Sequence, residues 1–496
     1  MPVNIYNKEV VKIETYKNYI DGKWTSSQTR KTFFSLNPAT EQPIGNFQDS
    51  DENDVEAAVL AAEKSFPLWR DTPAPKRAEI LFKIRDLLKE EKDRLAKLEV
   101  KEMGKVYKEA AGDVQEAIDI FEYMAGEGRR LFGRTTPSEL RNKFNATIRT
   151  PIGVVGLITP WNFPIAIPSW KLAPALICGN TMIFKPSSDT PLCGIELMKI
   201  MIKADLPKGV VNLVTGSGKK VGTPMIRHPR IHGLSFTGSR DTGKFIRENA
   251  GLKKVNLELG SKNAIIIMED ANLNLALEGV LWGAFGTTGQ RCTAASRIIV
   301  HEKVFNKFEK MLVNVAKKLR VGYGLNKSTD IGPLINKAAL QKSYLYTDIG
   351  KKEGAKLLCG GKGIKGKGFF FKPTIFTNVN PLSRLAQEEI FGPITVLIKI
   401  KNIDEAIKVC NGIKYGLSSA IYTENMKYAF RAINELEFGI TYVNSSTIGA
   451  EVHLPFGGTK DTGWGKEAGW SLDEFSEEKA IYIDFSGRLQ KAQGIN

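Results

Sequence analysis

Three residues of this 496-residue chain have types and neighbours suited to covalent chemistry at a carbonyl group. Cys292 lies among small and polar residues in FGTTGQRCTAASR, and the adjacent Arg291 predicts a lowered thiol pKa and a reactive thiolate. Glu258 ends the apolar run VNLEL, where a carboxylate in apolar surroundings could act as a general base. Asn162 lies between two prolines in TPWNFP, and its amide could donate a hydrogen bond to an oxyanion.

Each of these residues also has a purely structural interpretation. A cysteine is often buried and inert, a glutamate is usually at the surface, and an asparagine beside proline often belongs to a turn. Composition alone leaves Cys292 evenly balanced between the two roles, and it favours the structural role for Glu258 and Asn162 taken singly.

Two glycine-rich segments could bind phosphate groups. TGSGKKVG (215–222) lacks the G-x-G-x-x-G spacing, and no Ser or Thr follows its G-K pair as a P-loop requires. FTGSRDTG (236–243) follows an apolar run and opens a helical segment, so its backbone N–H groups could hold a phosphate at a helix N-terminus. Each segment is a weak signal by itself.

The elements that must position these residues follow from the hydrophobic pattern. Residues 52–130 show helical periodicity, and beyond residue 150 short apolar runs ending in Gly or Pro alternate with helical stretches. A second alternating set begins at NAIIIMED (263–270). This pattern predicts two α/β domains with parallel sheets, the first ending near Gly260. KAIYIDFS (479–486) has strand composition and could extend a sheet of a partner subunit.

Composition and charge argue against several other classes of protein. The five cysteines form no C-x-x-C pair, as expected in a reducing cytoplasm, and the four histidines lack metal-ligand spacing, so no metal site is expected. The N-terminal residues show no secretion signal and no apolar run suggests a membrane span. The net charge of +16 comes largely from lysines that alternate with acids, which is typical of solvated helices rather than of specific nucleic-acid binding.

Eight motifs, in order, resemble those of the aldehyde dehydrogenase superfamily over nearly the whole chain. They are TPWNFP at 159, WKLAPAL at 170, FKPSS at 184, SFTGS at 235, LELGSKN at 257, GQRCT at 289, EEIFGP at 388 and PFGGTKDTG at 455. The resemblance implies a Rossmann-like cofactor domain (1–130 and 149–260), a catalytic domain (261–460) and a small oligomerisation region (131–148 and 461–496). It also implies self-association as a homodimer or homotetramer.

The resemblance assigns the candidate residues to one reaction. Cys292 attacks the aldehyde, Asn162 and the Cys292 backbone N–H stabilise the oxyanion, and hydride passes to the nicotinamide. Glu258 then activates a water that hydrolyses the thioester. Lys171 and Glu477 match a pair that relays protons away from this base. The intact Glu258 motif argues against a CoA-acylating relative, and with Cys292 it argues against a purely structural or RNA-binding role.

The resemblance also implies the cofactor contacts. They are Ile158, Pro160, Trp161, Lys185, Ser188, Gly218, Gly222, Phe236, Gly238, Ser239, Leu259, Gly260, Glu389 and Phe391. Many NAD-specific members have Glu where this chain has Ser188, and that Glu would repel a 2′-phosphate. Ser188 beside Lys185 therefore predicts NADP as the preferred cofactor or as one used alongside NAD, although Asp189 could partly replace the missing carboxylate.

The substrate is predicted to be an aldehyde with an anionic far end, such as succinate, 2-oxoglutarate or aminoadipate semialdehyde. In the aminoadipate semialdehyde branch, Glu116 and Arg291 match residues that grip the amino and carboxylate groups. The remaining predicted substrate contacts are Trp170, Thr293, Gly449 and Ala450. A non-phosphorylating glyceraldehyde-3-phosphate dehydrogenase and a broad-range enzyme stay open, and Arg291 could instead only tune Cys292.

Overall fold

A computed structural model of the chain describes residues 13–493. Residues 1–12 and 494–496 lie outside the described range. The first of these segments is part of the N-terminus in which no secretion signal is expected, and the second is the end of the tail. All five cysteines are free thiols. No helix among residues 13–493 is long and apolar enough to cross a membrane, and no three His, Cys, Asp or Glu side chains there are grouped to hold a metal ion.

The helices follow one another along the described chain. They are α1 (Glu52–Asp71), α2 (Ala74–Glu90), α3 (Lys92–Glu102), α4 (Tyr107–Glu127), α5 (Ala166–Cys178), α6 (Pro191–Lys203), α7 (Thr223–Arg227), α8 (Arg240–Asn249), α9 (Leu273–Phe285), α10 (Glu302–Ala316), α11 (Lys337–Lys352), α12 (Arg384–Gln387), α13 (Ile403–Asn411), α14 (Met426–Glu435) and α15 (Leu472–Phe475). A π-helical turn spans Gly218–Gly222 and a 3-10 turn spans Gly286–Gly289.

The strands are shorter, and many are only two or three residues long. They are β1 (Asn18–Ile20), β2 (Lys23–Thr25), β3 (Thr32–Leu36), β4 (Pro43–Gln48), β5 (Thr135–Thr136), β6 (Lys143–Pro151), β7 (Val154–Ile158), β8 (Thr181–Lys185), β9 (Val211–Leu213), β10 (Gly233–Gly238), β11 (Lys254–Leu259), β12 (Asn263–Ile267), β13 (Ala295–His301), β14 (Lys356–Cys359), β15 (Thr374–Thr377), β16 (Ile394–Ile400), β17 (Tyr415–Gly416), β18 (Ser418–Tyr422), β19 (Ile440–Val443), β20 (Pro455–Phe456), β21 (Thr459–Lys460), β22 (Gly463–Trp464), β23 (Glu467–Ala468) and β24 (Ser476–Asp484).

The first large sheet has eight strands in the order β2-β1-β9-β8-β7-β10-β11-β22. Its five central strands are parallel, and the strands added at its two edges are antiparallel. The apolar runs of the sequence form these central strands, with both faces buried, as the parallel α/β pattern predicts. Four of the strands, β7, β8, β10 and β11, end at residues predicted as cofactor contacts.

The second large sheet has seven strands in the order β14-β15-β16-β13-β12-β18-β19. All pairings are parallel except that of β14 with β15. Only three residues separate the end of β11, at Leu259, from the start of β12, at Asn263. The carboxyl ends of the strands of the first sheet therefore face the amino ends of the strands of the second, and the chain passes from one sheet to the other over residues 260–262.

A third sheet joins the tail to an earlier segment of the same chain. β24 pairs antiparallel with β6 over nine residues, from Ser476 with Pro151 to Asp484 with Lys143. β5 completes this sheet on the other side of β6. The strand predicted near the chain end is confirmed, but its pairing partner in the described chain is internal, because β6 supplies an unpaired edge of matching length.

Candidate active site

Cys292 lies in the loop between the 3-10 turn at Gly286–Gly289 and strand β13. Side chains from other elements hold the backbone carbonyls around it. Asn263 Nδ2 donates to the carbonyl oxygens of Cys292, at 2.6 Å, and Ala294, at 3.1 Å. Thr447 Oγ1 donates to the carbonyl oxygen of Thr293 at 2.8 Å. The half-buried thiol is therefore carried by a loop with little freedom to move.

The thiol is protonated at neutral pH. Burial raises the pKa of Cys292 to about 12, with a further contribution from the Glu258 carboxylate. The prediction that Arg291 lowers this thiol pKa is wrong, since the Arg291 Nε donates to Thr287 Oγ1 at 2.9 Å and its Nη2 lies 3.7 Å from Glu109 Oε1. Thiolate must form by proton transfer to a base, and the fraction present increases as the pH rises.

Asn162 lies in the loop that leads from β7 into α5, and its side chain is buried. Its Nδ2 donates to the carbonyl oxygen of Gln290 at 3.1 Å, two residues before Cys292. An amide nitrogen carries two hydrogens, so one remains for a ligand. No group among residues 13–493 accepts a hydrogen bond from the Cys292 backbone N–H. These two donors line one cavity wall and could stabilise an oxyanion.

Glu258 is buried at the carboxyl end of β11, and both of its carboxylate oxygens lack a hydrogen-bond partner within the described chain. Burial raises its pKa well above that of an ordinary glutamate, and repulsion from Glu467 adds to the shift, while Lys171 opposes it. Such a group holds a proton strongly and can take one from a thiol or water as the pH rises.

Lys171 is fully buried on α5, and its Nζ forms an ion pair with Glu467 and donates to Ser235 Oγ at 2.8 Å. The predicted pairing of Lys171 with Glu477 is therefore wrong. Glu477 lies on β24, opposite Thr150, with its side chain exposed to solvent. Glu467 lies ten residues earlier on β23, lines the chamber next to Cys292 and has Thr237 Oγ1 at 3.4 Å.

The fourteen predicted cofactor contacts line two adjoining cavities, of about 340 and 570 Å³. The first, which reaches Cys292 and Glu258, includes Pro160, Trp161, Gly238, Ser239, Leu259, Gly260, Glu389 and Phe391. The second includes Ile158, Lys185, Ser188, Gly218, Gly222 and Phe236. Helix α8 begins between them, with Ser239 Oγ accepting from Thr242 N at 3.3 Å as its N-cap.

The first cavity combines a buried carboxylate with an aromatic wall. Glu389 Oε1 accepts from Ser261 N at 2.9 Å, and a Cβ atom at position 260 would overlap the Glu389 carboxylate, so a larger residue there would displace this carboxylate. Trp161 and Phe391 form an edge-to-face pair with ring centroids 5.4 Å apart. The carboxylate keeps lone pairs for hydroxyl donors of a ligand, and the aromatic pair forms an apolar wall.

The six predicted substrate contacts line a single chamber on the other side of Cys292. They are Glu116, Trp170, Arg291, Thr293, Gly449 and Ala450. The chamber is narrow, with a free volume of about 60 Å³, and Phe163, Ile167, Ile448 and Phe456 are among its apolar walls. Burial raises the pKa of Glu116 to about 7, and Asp113 raises it while Arg291 lowers it.

Several residues around these cavities carry no motif in the sequence. Asn336 and Lys342 line the cofactor cavity from α11 and the loop before it. Glu109, on α4, accepts from Thr287 N in the turn before Cys292, at 2.7 Å. The contact between Glu109 and Thr287 joins positions 178 residues apart, so no local pattern signals it, whereas Glu467 lies near the PFGGTKDTG motif.

Comparison with known proteins agrees with this arrangement. Residues 24–481 match the aldehyde dehydrogenase family. The chain is 42% identical to an alpha-ketoglutarate semialdehyde dehydrogenase of Haloferax volcanii over 479 residues, which covers 95% of this chain and 99% of that protein. It is 40% identical to an alpha-ketoglutaric semialdehyde dehydrogenase of Bacillus subtilis, with 95% and 98% covered. It is 39% identical to a D-glyceraldehyde dehydrogenase (NADP(+)) of Picrophilus torridus, with 95% and 96% covered.

The fold is also similar to solved structures. A betaine aldehyde dehydrogenase of Staphylococcus aureus in complex with NAD+ superimposes with a TM-score of 0.94 at 35% identity, over 96% of this chain and 97% of that one. The chain belongs to the aldehyde dehydrogenase family. It is an oxidoreductase that acts on aldehydes.

The two candidate partners of Lys171 can be separated by a matched pair of variants. We expect Glu467→Gln to lower kcat about tenfold or more, because the buried ammonium of Lys171 loses its counter-charge beside Glu258. Glu477→Gln removes the same charge at the surface and should leave kcat within about twofold. Steady-state kinetics on both purified variants checks this, and equal losses in the two would contradict the assignment of Glu467.

Proposed function

We propose that this enzyme oxidises a short aldehyde with a carboxylate at its far end to the corresponding dicarboxylic acid. The observation that supports this most is the presence of Arg291 on the wall of the chamber that contains Cys292. The named similarity to two alpha-ketoglutarate semialdehyde dehydrogenases points to the same substrate class.

In the proposed reaction, the Cys292 sulfur adds to the aldehyde carbon as its thiol proton passes to a base, for which Glu258 is in place. Asn162 Nδ2 and the Cys292 N–H donate to the oxyanion of the thiohemiacetal. A nicotinamide cofactor supplies the acceptor for the hydride that leaves this carbon. Once Glu258 has released that first proton to solvent, it takes a proton from water, whose oxygen attacks the thioester carbon. The C–S bond then breaks to release the acid, and the departing thiolate takes the proton from Glu258 to restore the thiol.

Arg291 is suited to bind the far carboxylate. Its guanidinium is 8% exposed, and it is held by Thr287 Oγ1 and by the ring of Phe163, whose centroid lies 5.0 Å from Arg291 Cζ. A guanidinium can form two parallel hydrogen bonds with a carboxylate, and burial strengthens them. The narrow apolar walls leave room for only a short chain between this cation and the thiol.

Replacing Arg291 with Leu tests the substrate class. We expect the KM for succinate semialdehyde to increase about tenfold or more, because a buried charge-assisted contact contributes about 1.5–3 kcal/mol. The KM for propanal, which has no carboxylate, should change little. Steady-state kinetics with both aldehydes measures the difference. Equal changes in the two KM values would rule out Arg291 as the carboxylate anchor.

Glu116 favours a second candidate, an amino acid semialdehyde whose ammonium group would pair with its carboxylate. The two candidates predict opposite effects of Glu116→Gln. For a substrate with an ammonium group, the variant should increase KM. For an anionic substrate without one, it should lower KM above pH 7, because Glu116, with a pKa of about 7, ionises there and repels the substrate carboxylate.

The pH dependence of KM distinguishes these cases in the wild-type enzyme. We expect KM for succinate semialdehyde to increase as the pH rises through about 7, and this increase to disappear in Glu116→Gln. Measurements from pH 6 to 9 at saturating cofactor would show it. A KM that falls over this range and loses that fall in the variant would instead support the amino acid semialdehyde.

We further propose that the enzyme accepts both cofactors and prefers NADP. Ser188 has a hydroxyl in the second cavity, and Lys185 and Lys219 line the same space. Ser188 Oγ donates to the Gly216 carbonyl at 2.9 Å, and Lys185 Nζ donates to the same carbonyl at 3.2 Å. Burial lowers the pKa of Lys185 to about 8, so its ammonium is still mainly charged at pH 7 and attracts a 2′-phosphate.

Placing a carboxylate at position 188 should reverse this preference. In Ser188→Glu the added charge repels a 2′-phosphate, so we expect KM for NADP to increase at least about tenfold, equivalent to 1.4 kcal/mol, with KM for NAD changed far less. Kinetics with each cofactor at a fixed aldehyde concentration measures the ratio. A wild-type kcat/KM at least about tenfold higher with NAD than with NADP would falsify the proposed preference.

A further inference from the structure

Glu109 lies behind the catalytic loop and does not line the substrate chamber. It is in the first turn of α4, with its side chain 15% exposed. Glu109 Oε1 accepts a hydrogen bond from Thr287 N at 2.7 Å, and Arg291 Nη2 lies 3.7 Å from the same oxygen. One carboxylate oxygen therefore contacts both the start of the turn before Cys292 and the residue next to it.

The turn that Glu109 contacts has an unfavourable backbone conformation. Thr287, Thr288 and Gly289 have φ values of 50°, 59° and 68°, all in the left-handed region. That region is open to glycine but disfavoured for β-branched residues such as threonine. A conformation of this kind persists only where surrounding contacts hold it.

Besides Glu109, several contacts hold this turn, among them the hydrogen bond from Asn162 Nδ2 to the Gln290 carbonyl and that from Gln290 Nε2 to the Pro333 carbonyl. Thr288 Oγ1 donates to the Gly332 carbonyl at 3.0 Å, and Gln290 Oε1 accepts from Ile335 N at 2.9 Å. Both reach the segment before α11. Glu109 connects Thr287, at the beginning of the turn, to helix α4. It therefore opposes relaxation of the strained turn from the side of α4.

The same carboxylate also determines where the Arg291 guanidinium points. Arg291 Nε donates to Thr287 Oγ1 at 2.9 Å, so the position of Thr287 fixes one edge of the guanidinium. The Phe163 ring covers its face. At 3.7 Å the Glu109 oxygen attracts Arg291 without a short bidentate contact, which leaves guanidinium N–H groups for another carboxylate.

We propose that Glu109 is a positioning residue that holds the left-handed turn before Cys292 and, through Thr287, aims the guanidinium of Arg291 into the substrate chamber. The part that concerns Arg291 rests on the proposed function, whereas the part that concerns the turn does not. Because Thr287 N needs an acceptor at a fixed distance, the reach of the side chain matters more than its charge.

Three substitutions separate reach from charge. Glu109→Gln keeps an oxygen acceptor at the same reach and removes the charge. Glu109→Asp keeps the charge and shortens the reach by one methylene, and Glu109→Ala removes both. Glu122→Gln, at an exposed position of the same helix where the carboxylate pairs with Arg85, is the matched control.

Two measurements on the full-length enzyme test the proposal. The first is the rate at which neutral iodoacetamide alkylates Cys292, followed by mass spectrometry of the Cys292 peptide. The second is kcat and KM with succinate semialdehyde and with propanal. We expect Glu109→Ala and Glu109→Asp to change the alkylation rate at least about fivefold and to lower kcat for both aldehydes about tenfold, because small misplacements of a nucleophile are costly.

The same two variants should also increase KM for succinate semialdehyde at least about fivefold more than KM for propanal. Glu122→Gln should stay within about twofold of the wild type in every measurement, and Glu109→Gln should do so in the alkylation rate and in kcat, which report on the turn. Alkylation and kcat unchanged in Glu109→Asp would overturn the role in the turn. Equal KM changes for the two aldehydes would overturn the role in aiming Arg291. The alkylation rate would still test the role in the turn separately. If Glu109→Ala fails to fold, the Asp and Gln variants still give the comparison.

Discussion

The burial of the Glu258 carboxylate is the constraint on which the site depends. A carboxylate with no hydrogen-bond partner in the described chain is costly to ionise, so its pKa rises and it becomes a stronger base. The cost is limited because Lys171 lies nearby, itself paired with Glu467 and Ser235. The side chains of this cluster come from strands β10, β11 and β23 and from helix α5. Glu258 therefore acquires its raised pKa only when the fold is complete.

This constraint also explains the arrangement of the two large sheets. Glu258 belongs to the carboxyl end of one sheet, and the Cys292 loop precedes a strand of the other. Asn263, the first residue of β12, donates a hydrogen bond to the Cys292 carbonyl. It lies five residues after Glu258 in the chain, so it links the edge that holds Glu258 to the loop that holds Cys292. Both cavities, one on each side of Cys292, are lined by Glu258 from the first sheet and by Cys292.

Much of this arrangement could be predicted from the sequence, because its signals are local. Apolar runs ending at Ile158, Lys185, Gly238 and Leu259 form strands that end at those residues. The failures concern contacts between distant segments. Glu477 and Glu467 are both acids near the chain end, and only the pairing of β24 with β6 shows that Glu477 faces solvent. The thiol pKa was misjudged for the same reason, since sequence adjacency to Arg291 says nothing of the carboxylates that folding brings near Cys292.

Arg291 and the two acids that interact with it, Glu109 and Glu116, set the charge at one wall of the chamber. Glu109 partly balances the guanidinium from behind, and Glu116 faces it across the chamber with a pKa of about 7. When Glu116 is protonated, its carboxyl group no longer offsets the positive charge of Arg291 in this chamber. That charge would favour the anionic substrate proposed above, whereas the pKa of the Cys292 thiol is set mainly by its burial. Thr287 and Thr288 both have left-handed backbone conformations, and each of these costs about 1–3 kcal/mol. We interpret this strain as the cost of a turn that places Arg291 and Cys292 side by side with different orientations.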